Sequence, residues 1–307
     1  MTTPGNRQER FHKRRPAVAR PDPIQSQARP TKGRAARLAR SRRKTTRGQS
    51  EAVHGRGATH TFYRVGAAST RGLYCGRLED HWRRGEQVNL IHTIYEPRGD
   101  GPHPAILAFH GWGASGLDLL GLAPYIAQGK FLVICPQGPL EVPIGAINGY
   151  GWFPISMGQP PEVEEIDKVV EQTEDFVDAA LERYSIDQRK LALLGFSQGG
   201  VLAYHLALRS PARFAALIGL STWFQPQLSE RAKDLEALEQ LPTMVQHGRA
   251  DDMIEISRAR HSIEELRKLN VPLVYKEYNC GHEITADGIQ DLSKFLTDKV
   301  LTSVIAL

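Results

Sequence analysis

Cysteine is scarce in this chain: Cys75, Cys135 and Cys280 are the only three in 307 residues. An odd, widely spaced set without metal-ligand spacing excludes a disulfide framework, and it reads as the reduced thiols of a cytoplasmic protein. Long apolar runs are missing as well. Nowhere do about 18 apolar residues follow one another, so no transmembrane segment is expected. The N-terminal region lacks the apolar core of a secretory signal, so Lys13-Arg14-Arg15 is not read as an export signal. No internal repeat is present.

Charge is plentiful but badly distributed. The net charge is +5, yet residues 1–58 hold sixteen lysines and arginines against three acids, a local +13. The other 249 residues therefore carry −8, a mildly acidic body behind a basic segment. Residues 1–58 are rich in Arg, Pro, Gly and Gln and hold few large apolar residues (Phe11, Ile24, Leu38). Such a stretch buries too little surface to offset its ordering entropy, and it reads as a disordered, solvated extension. Two other readings stay open. A tether to acidic surfaces would act by counterion release, with no aromatic interleaving to read bases, so no specific nucleic acid is expected. An organellar transit peptide would be Arg-rich and acid-poor in this way, but this one is not Ser-rich and shows no amphipathic helix.

From residue 59 onward the text is globular, and apolar residues make up 41% of the whole, enough for a sizeable core. Strands are expected at 61–65, 87–95, 104–109, 131–135, 191–194, 214–220, 242–247 and 273–278. Several are unbroken apolar runs, as in strands buried on both faces of a parallel sheet. Helical patterns are expected at 117–127, 162–184, from 198 onward, 258–269 and 284–301. Strands alternating with helices of this length define an α/β body over residues 59–307, with a mostly parallel central sheet flanked by helices.

One stretch organises the chemistry. The apolar run Leu191-Ala-Leu-Leu ends in Gly195-Phe196-Ser197-Gln198-Gly199-Gly200, and a helical pattern begins at once. A strand that turns this sharply into a helix leaves a serine at its apex, aimed along the helix N-terminus whose free N–H groups favour an oxyanion. The bland alternative is a glycine-rich turn carrying a solvent-facing serine. A serine hydroxyl is a weak nucleophile at neutral pH and needs a histidine base held by an acid. Two later strand ends supply them. His247-Gly248-Arg249-Ala250-Asp251 follows one, and Tyr278-Asn279-Cys280-Gly281-His282 follows the next. Asp252 rivals Asp251 for the acid, and either could be only a turn carboxylate. His205 and His261 fall inside helices, and His54 and His60 lie near the basic segment. The glycine-rich loop His110-Gly111-Trp112-Gly113-Ala114-Ser115-Gly116 can bring a second donor, the Trp112 N–H, to the oxyanion that the Gln198 N–H also faces. A phosphate-cradling loop is the rival reading, but the lysine and G-K-[ST] ending of a P-loop are missing. Trp152, Phe153 and Trp223 stand in strand-end loops, where they would line an acyl pocket or simply belong to the core.

Six segments, taken together, resemble a known family: His110-Gly111-Trp112-Gly113, Gly151-Trp152-Phe153-Pro154-Ile155, Gly195-Phe196-Ser197-Gln198-Gly199-Gly200, Ser221-Thr222-Trp223, His247-Gly248-x-x-Asp251 and Tyr278-x-x-x-His282. The chain is similar over residues 85–303 to the phospholipase/carboxylesterase family, which includes acyl-protein thioesterases and bacterial serine esterases of the α/β-hydrolase fold. The resemblance implies Ser197 as nucleophile, His282 as base and Asp251, rather than Asp252, as triad acid. Two departures stand out. Asp252 and Glu255 occupy places where the family often has proline, and the segment at about 59–95, with Trp82, is longer than in compact thioesterases.

The reading is a serine hydrolase for small-molecule carboxylic esters or thioesters, without metal or cofactor, as a monomer or homodimer. The alternatives are a dienelactone-hydrolase-like or peptidase-like relative of the same fold, and a non-catalytic protein that uses its basic segment to dock.

Overall fold

A computed structural model describes residues 74–76, 90–156 and 161–302 of the chain. The expected extension at 1–58, the strand at 61–65 and the start of the one at 87–95 lie outside these residues. Among the described residues eight strands form one sheet in the order β1-β2-β4-β3-β7-β8-β9-β10. They are β1 (Tyr74–Gly76), β2 (His92–Tyr95), β3 (His103–Phe109), β4 (Leu132–Pro136), β7 (Ile186–Phe196), β8 (Ala216–Leu220), β9 (Thr243–Gly248) and β10 (Leu273–Tyr278). The strands from β4 to β10 in that order run parallel. β2 is antiparallel to both of its neighbours. A separate antiparallel hairpin consists of β5 (Leu140–Ile144) and β6 (Ile147–Gly151).

The apolar runs explain the layering. In β3, Ala105, Leu107 and Phe109 enter one core while Ile106 and Ala108 enter the other. β7 divides in the same way, with Leu191 and Leu193 on one face and Ala192 and Leu194 on the opposite one. A strand with two buried faces can have no polar alternation, which is why these segments read as continuous hydrophobic text. The first face is covered by α1 (Val163–Arg183), α2 (Gln198–Arg209) and α4 (Ile256–Lys268), and the single turn α3 (Leu235–Leu238) adds Leu238. On the second face lie α5 (Ala286–Leu296) and the tight-wound segment Leu119–Gly129. α1 buries Ile166, Val169, Val170, Thr173, Phe176, Val177 and Ala180, a stripe at spacings of three and four.

Two expectations about elements change, and one element is added. The helix expected at 117–127 is a 3₁₀ segment that contains Pro124 and loses helical geometry at Ile126, Ala127 and Gln128. Proline withholds a backbone donor and crowds the preceding turn, so a regular α-helix is disfavoured there. The helix expected through 301 is α-helical only to Leu296 and widens into a π turn at Thr297–Leu301. The hairpin was not expected. Its strands lack alternation, and its two-residue turn depends on Gly145 at φ 60°.

Phe176 is fully buried and meets the His92 ring edge-on at 5.3 Å between centroids. Phe176→Ala should cost about 3–5 kcal/mol in urea unfolding with an unchanged denaturant slope. A loss below about 1 kcal/mol would show that the α1 face is not packed as described.

Candidate active site

Ser197 joins β7 to α2 with φ 53° and ψ −119°, a backbone region that is costly for any residue with a Cβ. Its surroundings hold it there. The Ser197 N–H donates to the Leu220 carbonyl at 2.9 Å, and Thr222 Oγ1 donates to the Ser197 carbonyl at 2.7 Å. Glycine is required on both sides. A Cβ on Gly195 would strike the Gly199 carbonyl, and one on Gly199 would strike the carbonyls of Phe109 and His110. The G-x-S-x-G spacing is thus the steric signature of strand, helix and the neighbouring β3 end meeting within one turn.

The two other expected residues meet directly. His282 Nδ1 is 2.8 Å from Asp251 Oδ2, and the Asp251 side chain has no solvent exposure while that of His282 is 18% exposed. The loops that carry them run side by side beyond β9 and β10. Arg249 N–H donates to the Tyr278 carbonyl at 2.8 Å and Ala250 N–H to the Cys280 carbonyl at 3.0 Å, extending the ladder past the strands. The carboxylate is itself tied down, since Oδ1 accepts from the N–H groups of Met253 at 3.0 Å and Ile254 at 2.8 Å. Asp252 faces solvent and takes no part. The His282 ring lies 4.9 Å from the ring of Phe196, the residue before the serine. Among the described residues no hydrogen bond joins Ser197 Oγ to His282. Such bonds are commonly long in substrate-free enzymes and tighten in the complex.

His205 is buried in α2 against Gln225 at 3.0 Å, and His261 is exposed beside Glu264 and Glu265, so neither reaches Asp251. Cys280 stands in the His282 loop, but burial raises its thiol pKa, and the charges of Glu283 and Asp251 raise it further. It stays a thiol, not a rival nucleophile.

Gln198 does more than its backbone placement foretold. Its fully buried side chain accepts from the Trp152 N–H at 2.9 Å and donates to the Phe153 carbonyl at 2.6 Å. Trp152 Nε1 in turn donates to the His110 carbonyl at 2.9 Å, and Gly113 N–H donates to the Tyr150 carbonyl at 2.8 Å. Elbow, hairpin and the 110–113 loop are therefore one hydrogen-bonded unit. This network gives Gln198 and Trp152 a shared reason for their identities, since each supplies a side-chain hydrogen bond to it. Trp152 and Phe153, at 2% and 1% exposure, belong to the core of this unit. Trp223 is also buried, with the Arg258 guanidinium 4.4 Å from its ring centre. Trp112 is 37% exposed, its ring lying against Gly151.

His110 fixes the loop from beneath. Gly138 N–H donates to its Nε2 at 3.0 Å, so the hydrogen sits on Nδ1, which donates to the Gly111 carbonyl at 2.7 Å. Burial pushes its pKa down to about 4, against a smaller upward pull from the Gly111 bond. Burial likewise takes His205 down to about 4.

Few folds bend a strand into a helix over a strained serine and then place a carboxylate and an imidazole, bonded together, past two later parallel strands. The arrangement is that of an α/β-hydrolase. Residues 91–300 match the phospholipase/carboxylesterase family, about two thirds of the chain, and the chain belongs to that family. Over 199 residues it is 26% identical to acyl-protein thioesterase 1 of Gibberella zeae, covering 61% of this chain and 83% of the relative. Acyl-protein thioesterase 2 of Zea mays superposes with a TM-score of 0.58 at 23% identity, covering 68% of this chain and 98% of that one. A carboxylesterase from Mesorhizobium loti gives a TM-score of 0.60 at 17% identity, covering 73% and 98%. The protein is an esterase-type hydrolase of this family. No described helix is long and apolar enough to cross a membrane.

The lowered histidine values have a consequence for stability. His110 and His205 titrate near 4 when folded and near 6.5 when unfolded, so the unfolded chain binds more protons between those values. Stability is then present above about pH 6.5 and is lost as pH falls toward 4. Urea unfolding should give a lower free energy at pH 5 than at pH 7. His110→Gln, which keeps an acceptor for Gly138, should show a smaller drop. An undiminished drop in that variant would contradict the assignment.

Proposed function

We propose that the chain hydrolyses small-molecule carboxylic esters or thioesters through an acyl-enzyme on Ser197. His282 Nε2 takes the Ser197 proton as the oxygen attacks the substrate carbonyl carbon. Asp251 keeps the hydrogen of the imidazole on Nδ1 and stabilises the imidazolium that forms. The tetrahedral oxyanion is held by the Gln198 and Trp112 N–H groups. His282 returns the proton to the departing alcohol or thiol. A water molecule, deprotonated by the same imidazole, then releases the acid and restores the serine.

The observation that carries this reading is the 2.8 Å bond between His282 and the unexposed Asp251, beside a serine held at φ 53° on an elbow. The tautomer follows, because a carboxylate bound at Nδ1 leaves Nε2 as the basic nitrogen. The hydrogen-bonded unit of elbow, hairpin and 110–113 loop supports a preorganised oxyanion site, since donors that need not move are the ones that lower a barrier. Thioester and ester substrates are both included because the relatives named above are thioesterases and a carboxylesterase. A cytoplasmic location belongs to the same proposal, supported by the free thiols of Cys135 and Cys280.

With p-nitrophenyl butyrate and a thioester analogue, Ser197→Ala should abolish turnover while leaving thermal unfolding nearly unchanged. Asp251→Asn should lower kcat by about 10³–10⁴-fold, the scale expected when the imidazole is held in the wrong tautomer. Retention of most activity by a folded Ser197→Ala would overturn the proposal.

A further inference from the structure

The segment that delivers Asp251 begins with a histidine to which the reaction above assigns no task. His247 lies in β9, and its side chain has no solvent exposure. Its Nε2 is 2.8 Å from the Ile254 carbonyl. A carbonyl can only accept, so Nε2 carries the hydrogen. The same nitrogen is 3.3 Å from Asp251 Oδ2, the oxygen that His282 Nδ1 holds at 2.8 Å. The other carboxylate oxygen is gripped by the Met253 and Ile254 N–H groups. His247 therefore acts on the carboxylate twice. Its N–H edge lies against Oδ2, and its bond to Ile254 closes the turn whose amides hold Oδ1.

Packing alone would not call for an imidazole here. His247 Nδ1 is buried without a hydrogen-bond partner among the described residues. Taking that nitrogen out of water is unfavourable, and an apolar side chain of similar volume would fill the space without the cost. What an apolar side chain could not provide is the N–H beside the carboxylate.

We propose that His247 is a positioning residue for the catalytic acid. It fixes the turn at residues 251–254 and the direction of Asp251 Oδ2, and so the geometry in which that oxygen accepts from His282. The inference rests on the reading of Ser197, Asp251 and His282 given above. It concerns a carboxylate that is fully desolvated, where a neighbouring N–H dipole counts for more than at the surface.

The test uses the full chain with p-nitrophenyl butyrate, comparing His247→Leu and His247→Gln, each alone and combined with Asp251→Asn. His247→Leu should lower kcat roughly 10- to 100-fold, the range for leaving the buried Ile254 carbonyl without its donor and the turn around Asp251 loosened, with KM changed less than about twofold. His247→Gln, whose amide N–H reaches the same place, should recover most of that loss. In the Asp251→Asn background His247→Leu should cost less than about twofold, because the carboxylate it orients is gone. Should the leucine variant not fold, His247→Asn takes its place, being polar but one bond too short, and must show the same loss of kcat. The proposal is overturned by an unchanged kcat in the leucine or asparagine variant, by a loss that glutamine does not recover, or by an equal loss in the Asp251→Asn background. Failure of the underlying triad looks different, since Ser197→Ala would then keep its activity whatever stands at position 247.

Discussion

A carboxylate without solvent exposure is the constraint on which the candidate-site end of this sheet depends. Asp251 gives up hydration entirely, and an unpaired charge in that position would cost several kcal/mol. The protein answers with two amides of its own turn and the His282 ring as hydrogen-bond partners, and with the His247 N–H edge 3.3 Å away. Each must arrive from a different part of the chain. The loops after β9 and β10 therefore run side by side, and Gly248 is small enough to let the carbonyls of Cys280 and Gly281 approach. The same closeness that compensates the charge leaves His282 oriented beside Phe196 and the elbow.

The second constraint is steric. At Ser197 the backbone is strained and the glycines on either side admit no side chain, so the elbow survives only because its neighbours hold it. Gln198 anchors it laterally to Trp152 and Phe153, and Trp152 passes the connection to His110. Strain at the serine and rigidity around it are two aspects of one arrangement. An oxyanion site works when its donors are already in place, and under the proposed mechanism the hydrogen-bonded unit spanning β6, the 110–113 loop and α2 would keep them there.

Sequence reasoning located what periodicity and sterics encode. Continuous apolar runs marked β3, β4 and β8 because burial on both faces removes alternation, and G-x-S-x-G marked the elbow because Gly195 and Gly199 leave no room for a Cβ. Asp251 and His282 were legible as residues just past strand ends, and the structure joins them. Other features left no such mark. The β5–β6 hairpin has no alternating pattern and is held by backbone bonds to residues 113 and 114, which no side chain announces. Pro124 could have warned of the broken helix at 119–129, but the apolar spacing outweighed it. The loop position of Trp152 and Phe153 left pocket and core equally open, and in the structure the buried Gln198 amide holds their backbone while both side chains are buried. The polar work of His247 and the Gln198 side chain stayed hidden for the same reason: a buried polar residue declares its partners only in three dimensions.

The central claim is that the hydroxyl at the elbow is the group activated by the His282–Asp251 pair. Mass-spectrometric mapping of the chain after reaction with a fluorophosphonate tests it most directly. The account predicts a single stoichiometric adduct on the peptide containing Ser197, with the rate of labelling falling steeply when His282 is replaced by alanine. An adduct on another residue, or labelling that is indifferent to His282, would contradict it.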